Sequence, residues 1–381
     1  MRLLSIPIIL VLFPALAGAQ VKPAPTPDPT AEVFKITAPL QTFKITVDEP
    51  NLKSLKAEPK KYVKCTVVVG DKTYKDVAIH LKGAVGSFQN WDGKPALTVN
   101  FDKFAKGQTY RGLDKFHLNN SVQDGGYLNE IACSELAKAM GLPTARATHA
   151  VVELNGRKMG LYVLKEGYNG HFVERNFPGA AGGNLYDGGF LQDIDAKLKL
   201  DDGPGCEGKD LKALADACKL GDAKKRYEGV AKLVDVDLFA KNAALQFLAT
   251  DWDGYVRNRN NYRVYFPPKD GKAVFMPHGM DQMFQNPNEG IWPGPGALVS
   301  RAILEHEEGK KKTIAAYKDL VEKHFTADFL KRMDEWIVRT RDGLAPSNKD
   351  WAKSFEDNAK GDRERMRQRM EHLKKELPKL K

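Results

Sequence analysis

Three short stretches of this sequence carry oxygen-bearing side chains: Thr250-Asp251-Trp252-Asp253-Gly254, Asn260-Asn261-Tyr262 and Pro277-His278-Gly279-Met280-Asp281. Asp253 stands eight positions before Asn261, and Asp281 twenty positions after it. Between them, Tyr262 to Phe266 and Ala273 to Pro277 flank Pro267-Pro268-Lys269-Asp270-Gly271 and read as a β-hairpin. Carboxylates and a carboxamide are hard donors of the kind Mg²⁺ takes. Phosphoryl transfer from ATP asks for one carboxylate near the attacking hydroxyl and a few oxygens on the metal, with little covalent work by the protein. Single Asp and Asn residues in loops are commonly turn formers, and Asp251 reads as one. Asp253, Asn261 and Asp281, ordered around a hairpin, read instead as a functional set: a catalytic Asp253 and a metal-holding Asn261 and Asp281.

The flanking elements decide whether these groups can meet. Val63, Cys65, Val67 and Val69 alternate with more polar neighbours, and Val77 to Leu81 and Leu97 to Phe101 follow as further strands. Tyr127 to Met140 turns helical, with Leu128, Ile131, Ala132, Leu136 and Ala139 on one face and Gly141-Leu142-Pro143 as the stop. Thr148 to Leu154 and Lys158 to Leu164 make a hairpin around Asn155-Gly156. Gly167 to Gly208 reads as loop with one short helix at 171–176. Leu211 to Leu233 reads as one helix, and Asp235 caps another running from Val236 to Ala249. From Ala302 onward the chain is helical and increasingly charged. The expected fold is therefore α+β: a β-rich half with one long helix, then a mostly helical half holding a hairpin.

A nucleotide would need groups from the β-rich half. Gly83, Gly86 and Ser87 form a glycine-bearing turn whose amides suit phosphate. Lys94, paired with Glu130 on the helix, is the expected phosphate lysine, and Lys82 is the alternative. Glu166 falls where the two halves join, as either a nucleotide contact or a surface charge.

The chain has 381 residues, 42% of them hydrophobic, with 59 basic against 49 acidic side chains. That excludes a disordered, collagen-like or multispan membrane protein. Arg2, the apolar run Leu3 to Leu16 and Ala17-Gly18-Ala19 predict a signal peptide over 1–19, cut after Ala19, with a proline-rich linker over 20–32. A secreted or periplasmic protein follows, with no transmembrane span once the signal is removed. In that setting Cys206 and Cys218 are expected to pair, while Cys65 and Cys133 read as buried apolar residues. Asp193, Asp195, Asp201 and Asp202 are too irregularly spaced for a calcium loop. The basic segment 345–381 reads as a solvated helix. It could touch an anionic surface, but no aromatic stacking set accompanies it, and nucleic acid is not expected.

Taken in order, Leu81-Lys82-Gly83 to Lys94-Pro95, Phe116-His117-Leu118-Asn119-Asn120, Leu128 to Gly141-Leu142-Pro143, Asn155-Gly156 with Gly160-Leu161-Tyr162 and Glu166, Trp252-Asp253-Gly254, Asn261-Tyr262 and Pro277 to Phe284 resemble the spore-coat CotH kinase family. The resemblance implies a bilobal, atypical protein-kinase-like fold, with an N-lobe over 33–165 and a C-lobe over 166–344. It also implies transfer of the ATP γ-phosphate, with Mg²⁺, to a hydroxyl of a protein in the envelope or extracellular space, serine or threonine being the expected acceptor. Asp253 matches the family's proposed catalytic carboxylate, and Asn261 and Asp281 its metal-side pair. The family's usual Trp-Asp-x-Asp is here His278-Gly279-Met280-Asp281, one acid fewer, and its Arg-Gly is Lys82-Gly83. A binding module without turnover, or a kinase of glycans or small molecules, are the alternatives.

Overall fold

The computed structural model describes residues 28–269 and 271–380; the expected signal peptide and most of the linker lie outside them. Seven strands, β1 (Gln41–Thr46), β2 (Val63–Val69), β3 (Lys72–Lys82), β4 (Ala96–Asn100), β5 (Lys115–Asn119), β6 (Ala147–Leu154) and β7 (Arg157–Glu166), form the β-rich half. They close into a barrel in the order β1-β2-β3-β4-β5-β7-β6. Closure comes from the parallel pairing of β1 with β6, Gln41 opposite Ala150 through Ile45 opposite Leu154. Sequence periodicity finds the strands but not the closure, since β1 and β6 lie about a hundred residues apart in sequence. The alternation read from Val63 to Val69 holds, with those residues buried in the barrel beside Phe43, Ile79, Val99, Phe116 and Tyr162.

Helix α1 (Glu49–Ala57) packs against β2, and α2 (Asn129–Ala139) lies between the barrel and the helical half. The first turn of α2 is buried through Asn129, Glu130 and Ile131. After α3 (Gly170–Asn176), a second sheet of order β11-β10-β8-β9 appears: β8 (Asn184–Asp187), β9 (Lys199–Asp202), β10 (Tyr262–Phe266) and β11 (Val274–Pro277). The hairpin β10–β11 matches expectation. Strands β8 and β9 replace part of the expected loop, being only four residues each and, in Lys199–Asp202, too polar to carry a strand signature.

The helix expected over 211–233 is two helices, α4 (Lys209–Cys218) and α5 (Ala223–Leu233). The break is chemical: Asp222 accepts the N–H of Lys225 at 2.8 Å and caps the second helix. Asp235 likewise caps α6 (Val236–Leu248), accepting from Leu238 N–H at 2.9 Å. The short α7 (Tyr255–Asn258), then α8 (Leu298–Leu304), α9 (Glu307–Asp319), α10 (Ala327–Leu344) and α11 (Lys349–Glu376) follow. Helix α11 is not simply solvated. Its Phe355, Ala359, Met366, Met370 and Leu373 belong to the same core as Phe239 of α6 and Trp336 of α10. Among the described residues no helix is long and apolar enough to cross a membrane.

All four cysteines are free thiols. The expected Cys206–Cys218 bridge is absent: the Cys206 sulfur lies 3.3 Å from Asn184 Nδ2, on β8, and Cys218 is buried in the core. Asp193 is an internal anchor, taking the Tyr255 hydroxyl at 2.9 Å and the Leu298 N–H at 2.8 Å.

Candidate active site

Helix α6 ends at the loop that carries Asp253, and the loop is stiffened from within. Asp251 is buried and accepts the N–H of Asp253 at 3.1 Å. Burial pushes its carboxyl up to about 7 against the pull of backbone N–H donors. The Asp253 carboxylate then collects three carboxamides: Asn258 at 3.2 Å, Asn260 at 3.0 Å and Asn261 at 2.9 Å.

Asn261 precedes β10 and His278 follows β11, and the antiparallel register sets them side by side, His278 N–H on Asn261 C=O at 3.0 Å. Gly279 comes next, at φ +64°, where an added Cβ would lie 2.8 Å from Asn261 Oδ1. A side chain at this position would thus have to displace the Asn261 carboxamide and take up a strained backbone conformation. Asp281 follows, its backbone carbonyl oxygen held by Asn129 Nδ2 at 3.0 Å. Burial, with Glu130 nearby, raises its carboxyl to about 6.

A cleft of about 480 Å³ separates the barrel from the second sheet, and Asp253, Asn261 and Asp281 all line it. Lys82, Gly83 and Ser87 line it from the barrel side, together with His117. Lys82 reaches Asn119 Oδ1, and burial, then the charge of Lys165, brings its amine down to about 8. Gly83 is required by its φ of +109° and by a close approach of Phe88, whose Cα would lie 2.9 Å from an added Cβ. Gly86, also at positive φ, backs onto Gln123. The turn uses its own amides: Ser87 and Phe88 N–H both donate to Ala84 C=O, at 3.2 and 2.9 Å.

Two expected placements are corrected. Glu130 does not pair with Lys94; its buried carboxylate holds Lys165, the penultimate residue of β7. The β5–β7 register puts Lys165 opposite His117, facing the first turn of α2. Lys94 points away into an aromatic cage, bonded to the Tyr127 hydroxyl and lying 4.8 and 5.0 Å from the Tyr127 and Tyr162 ring centres. Glu166 is likewise no cleft residue. It takes Arg146 Nη2 at 2.7 Å and Arg175 Nη2 at 2.5 Å on the far side of β7.

Three cationic or imidazole groups in the seam were not expected. Arg263, from β10, is held by Asp187 at 2.8 Å and Asp201 at 3.2 Å. His117 lies 3.1 Å from Thr98 Oγ1, and His278 is stacked edge-on to Tyr168. Burial first, then neighbouring lysines and Arg263, holds both imidazoles well below their usual range and therefore neutral. Arg263 alternates with apolar Tyr262 and Val264, the one signal that could have marked it as turned to the other face.

The profile of the family described as CotH kinase protein matches residues 79–377. Inner spore coat protein H of Bacillus subtilis is 23% identical over 272 residues, covering 64% of this chain and 71% of its own length. Invasin CotH7 of Rhizopus delemar is 24% identical over 282 residues, which is 67% of this chain but 46% of the invasin, so the chain spans about half of that relative. Among solved structures, the HipA–HipB–operator DNA complex of Shewanella oneidensis aligns at TM-score 0.38, 14% identity, over 70% of this chain and 59% of the other. The Helicobacter pylori proinflammatory kinase CtkA aligns at TM-score 0.32, 10% identity, over 75% and 94%. A profile that takes in the barrel from β3, the cleft and α11 settles the family: the chain belongs to the CotH kinase family.

Proposed function

We propose that this protein is an exported kinase that moves the γ-phosphoryl group of ATP to a hydroxyl of a protein substrate. The observation that carries the reading is the meeting of Asp253, Asn261 and Asp281 in one cleft, opposite Lys82. On this reading the barrel and the helical half are the two lobes of an atypical kinase, and the cleft is the seam between them.

The donor set fits a hard divalent cation. Asn261 commits its Nδ2 to Asp253, and the glycine at 279 leaves its Oδ1 unobstructed. Asp281 supplies a carboxylate whose pKa is raised by burial and by Glu130, so a cation bound there would favour its charged form. Bound there, Mg²⁺ would neutralise the phosphate oxygens. Asp253, its carboxylate already oriented by three carboxamides, is placed to take a hydrogen bond from the attacking hydroxyl and to draw off its proton. Lys82 supplies positive charge to the phosphates, and Lys165, fixed by Glu130, adds to the field behind it.

Calorimetric titration of ATP with and without Mg²⁺ tests this reading. Binding should require the metal and should weaken more than tenfold in Asp281→Asn, while Asp253→Asn keeps binding and loses phosphoryl transfer to protein. Absence of any Mg²⁺-dependent nucleotide binding would sink it.

A further inference from the structure

Helix α11 is tied to both elements that deliver the cleft residues. Arg369, fully buried, donates Nε to Leu248 C=O at 3.0 Å and Nη2 to Phe247 C=O at 2.8 Å. Those are the last carbonyls of α6, the helix that leads into the Asp253 loop.

Two turns earlier in α11, Asp362 meets Asp124, a residue of the segment before α2. They are 2% and 3% exposed, and their carboxylates are within hydrogen-bond contact. Asp124 Oδ2 accepts the N–H of Asn129 at 3.1 Å, capping an α2 whose own N-cap, Leu128, offers no side-chain acceptor. Asn129 in turn holds the backbone of Asp281. Asp362 Oδ1 is held by Arg365. Asp124 Oδ1 and Asp362 Oδ2 are left, both buried and both without a donor. One proton between the two carboxyl groups gives each orphan oxygen its partner, whereas two bare carboxylates in contact would repel in a poorly solvated site. The helix can come this close only because residue 126 is glycine: a Cβ there would collide with Asp362 Oδ2 and lie 3.0 Å from Ala359 Cα.

We propose that Asp124 and Asp362 are positioning residues: sharing one proton, they pin α11 to the first turn of α2 and, through Asn129, fix the backbone at Asp281. The consequence for nucleotide binding rests on Asp281 acting as proposed above; the pin itself does not. The charged and titratable groups around the pair are Arg365 on α11, the Tyr127 phenol and Cys133 thiol on the α2 side, and the Asp281 carboxylate across the seam. Burial raises both acids, and for Asp124 the Asp362 charge adds to it. A carboxyl raised in the folded state binds more protons than in the unfolded one, so its contribution to stability falls as pH climbs above the ordinary carboxylate range.

Hydrogen exchange of the full chain reads the pin directly, at segments 124–131 and 279–283, between about pH 5 and about pH 9 after correction for intrinsic rates. Wild type should lose protection as pH rises. Asp362→Asn, whose carboxamide N–H can donate to Asp124 without a proton, should stay protected throughout; Asp362→Ala should exchange about tenfold faster at every pH. An Ala variant as protected as wild type would overturn the pin. Equal pH trends in wild type and Asp362→Asn would overturn the shared proton. Titration of Mg²⁺-ATP in parallel separates the two readings. A wild type that binds no nucleotide refutes the proposed function and leaves the exchange result to decide the pin. A wild type that binds, with Asp362→Ala binding equally well, refutes the link to Asp281.

Discussion

Placing an acid at position 279 should damage this protein. Gly279 sits at φ +64°, and its missing Cβ would stand 2.8 Å from Asn261 Oδ1. An L-residue in that left-handed conformation costs about 1–2 kcal/mol. Relieving the contact displaces the Asn261 carboxamide from Asp253, and a hydrogen bond to a charged group contributes about 1.5–3 kcal/mol. Together Gly279→Asp should destabilise the protein by roughly 3 kcal/mol and lower Tm by roughly 5 °C in a chain of this length. Scanning calorimetry measures the first effect, and Mg²⁺-ATP titration measures the second, a loss of binding as the Asn261 oxygen moves. Gly279→Ala should lose nearly as much, because the cost lies in the Cβ and the backbone rather than in the charge. An Asp variant of unchanged Tm, or one that binds Mg²⁺-ATP more tightly, would refute the reasoning.

Four further outcomes follow from the same geometry. Lys165→Met should destabilise by about 3–5 kcal/mol, because it strands the buried Glu130 carboxylate, and adding Glu130→Gln should recover much of that loss in chemical denaturation. Lys82→Met should weaken ATP binding more than tenfold, whereas Lys94→Met, which empties an aromatic cage outside the cleft, should change stability and leave ATP affinity within about twofold. Asp281, raised to about 6, is protonated below that pH, so Mg²⁺ affinity should fall about tenfold per unit as pH drops under about 6 and be flat above it. The same shift makes its own contribution to stability decline between the ordinary carboxylate range and about 6. Glu166→Gln should lower Tm by unpairing Arg146 and Arg175 without altering nucleotide affinity, which a thermal shift assay with and without Mg²⁺-ATP can read.

What the sequence disclosed depended on the distance over which each feature is encoded. Asp253, Asn261 and Asp281 flank a hairpin with strong local punctuation, and the hairpin register itself brings Asn261 beside His278. Their meeting was therefore legible. The partner of Glu130 was not, because Lys165 reaches it through the pairing of β7 with β5, and which strands pair is a property of barrel closure. A lysine just before a strand, as Lys94 is, and one just short of a strand's end, as Lys165 is, look alike in a linear pattern; only the barrel decides which faces α2. Helix α11 misled for a similar reason. Its interleaved charges describe the solvated face truly, while Asp362 and Arg369 turn inward to carbonyls and a carboxylate more than a hundred residues away in sequence.

The charges in the seam bear on the proposed anionic occupant independently of any motif. Lys82 and Lys165 come from the barrel and Arg263 from the second sheet, and burial first, then these charges, keeps two imidazoles neutral. Glu130 answers Lys165, and Asp187 with Asp201 answers Arg263. Lys82 has the neutral Asn119 as its hydrogen-bond partner, and its amine is already lowered to about 8. A buried ammonium without a paired counter-charge costs stability, and proteins hold such groups mainly where a ligand supplies the missing charge. Around the hairpin that carries Arg263, Asp281 is raised and Asp253 faces three neutral carboxamides. On the proposed function, a polyanion and a cation entering together would meet Lys82 on the barrel side and the carboxylates of Asp253 and Asp281 across from it.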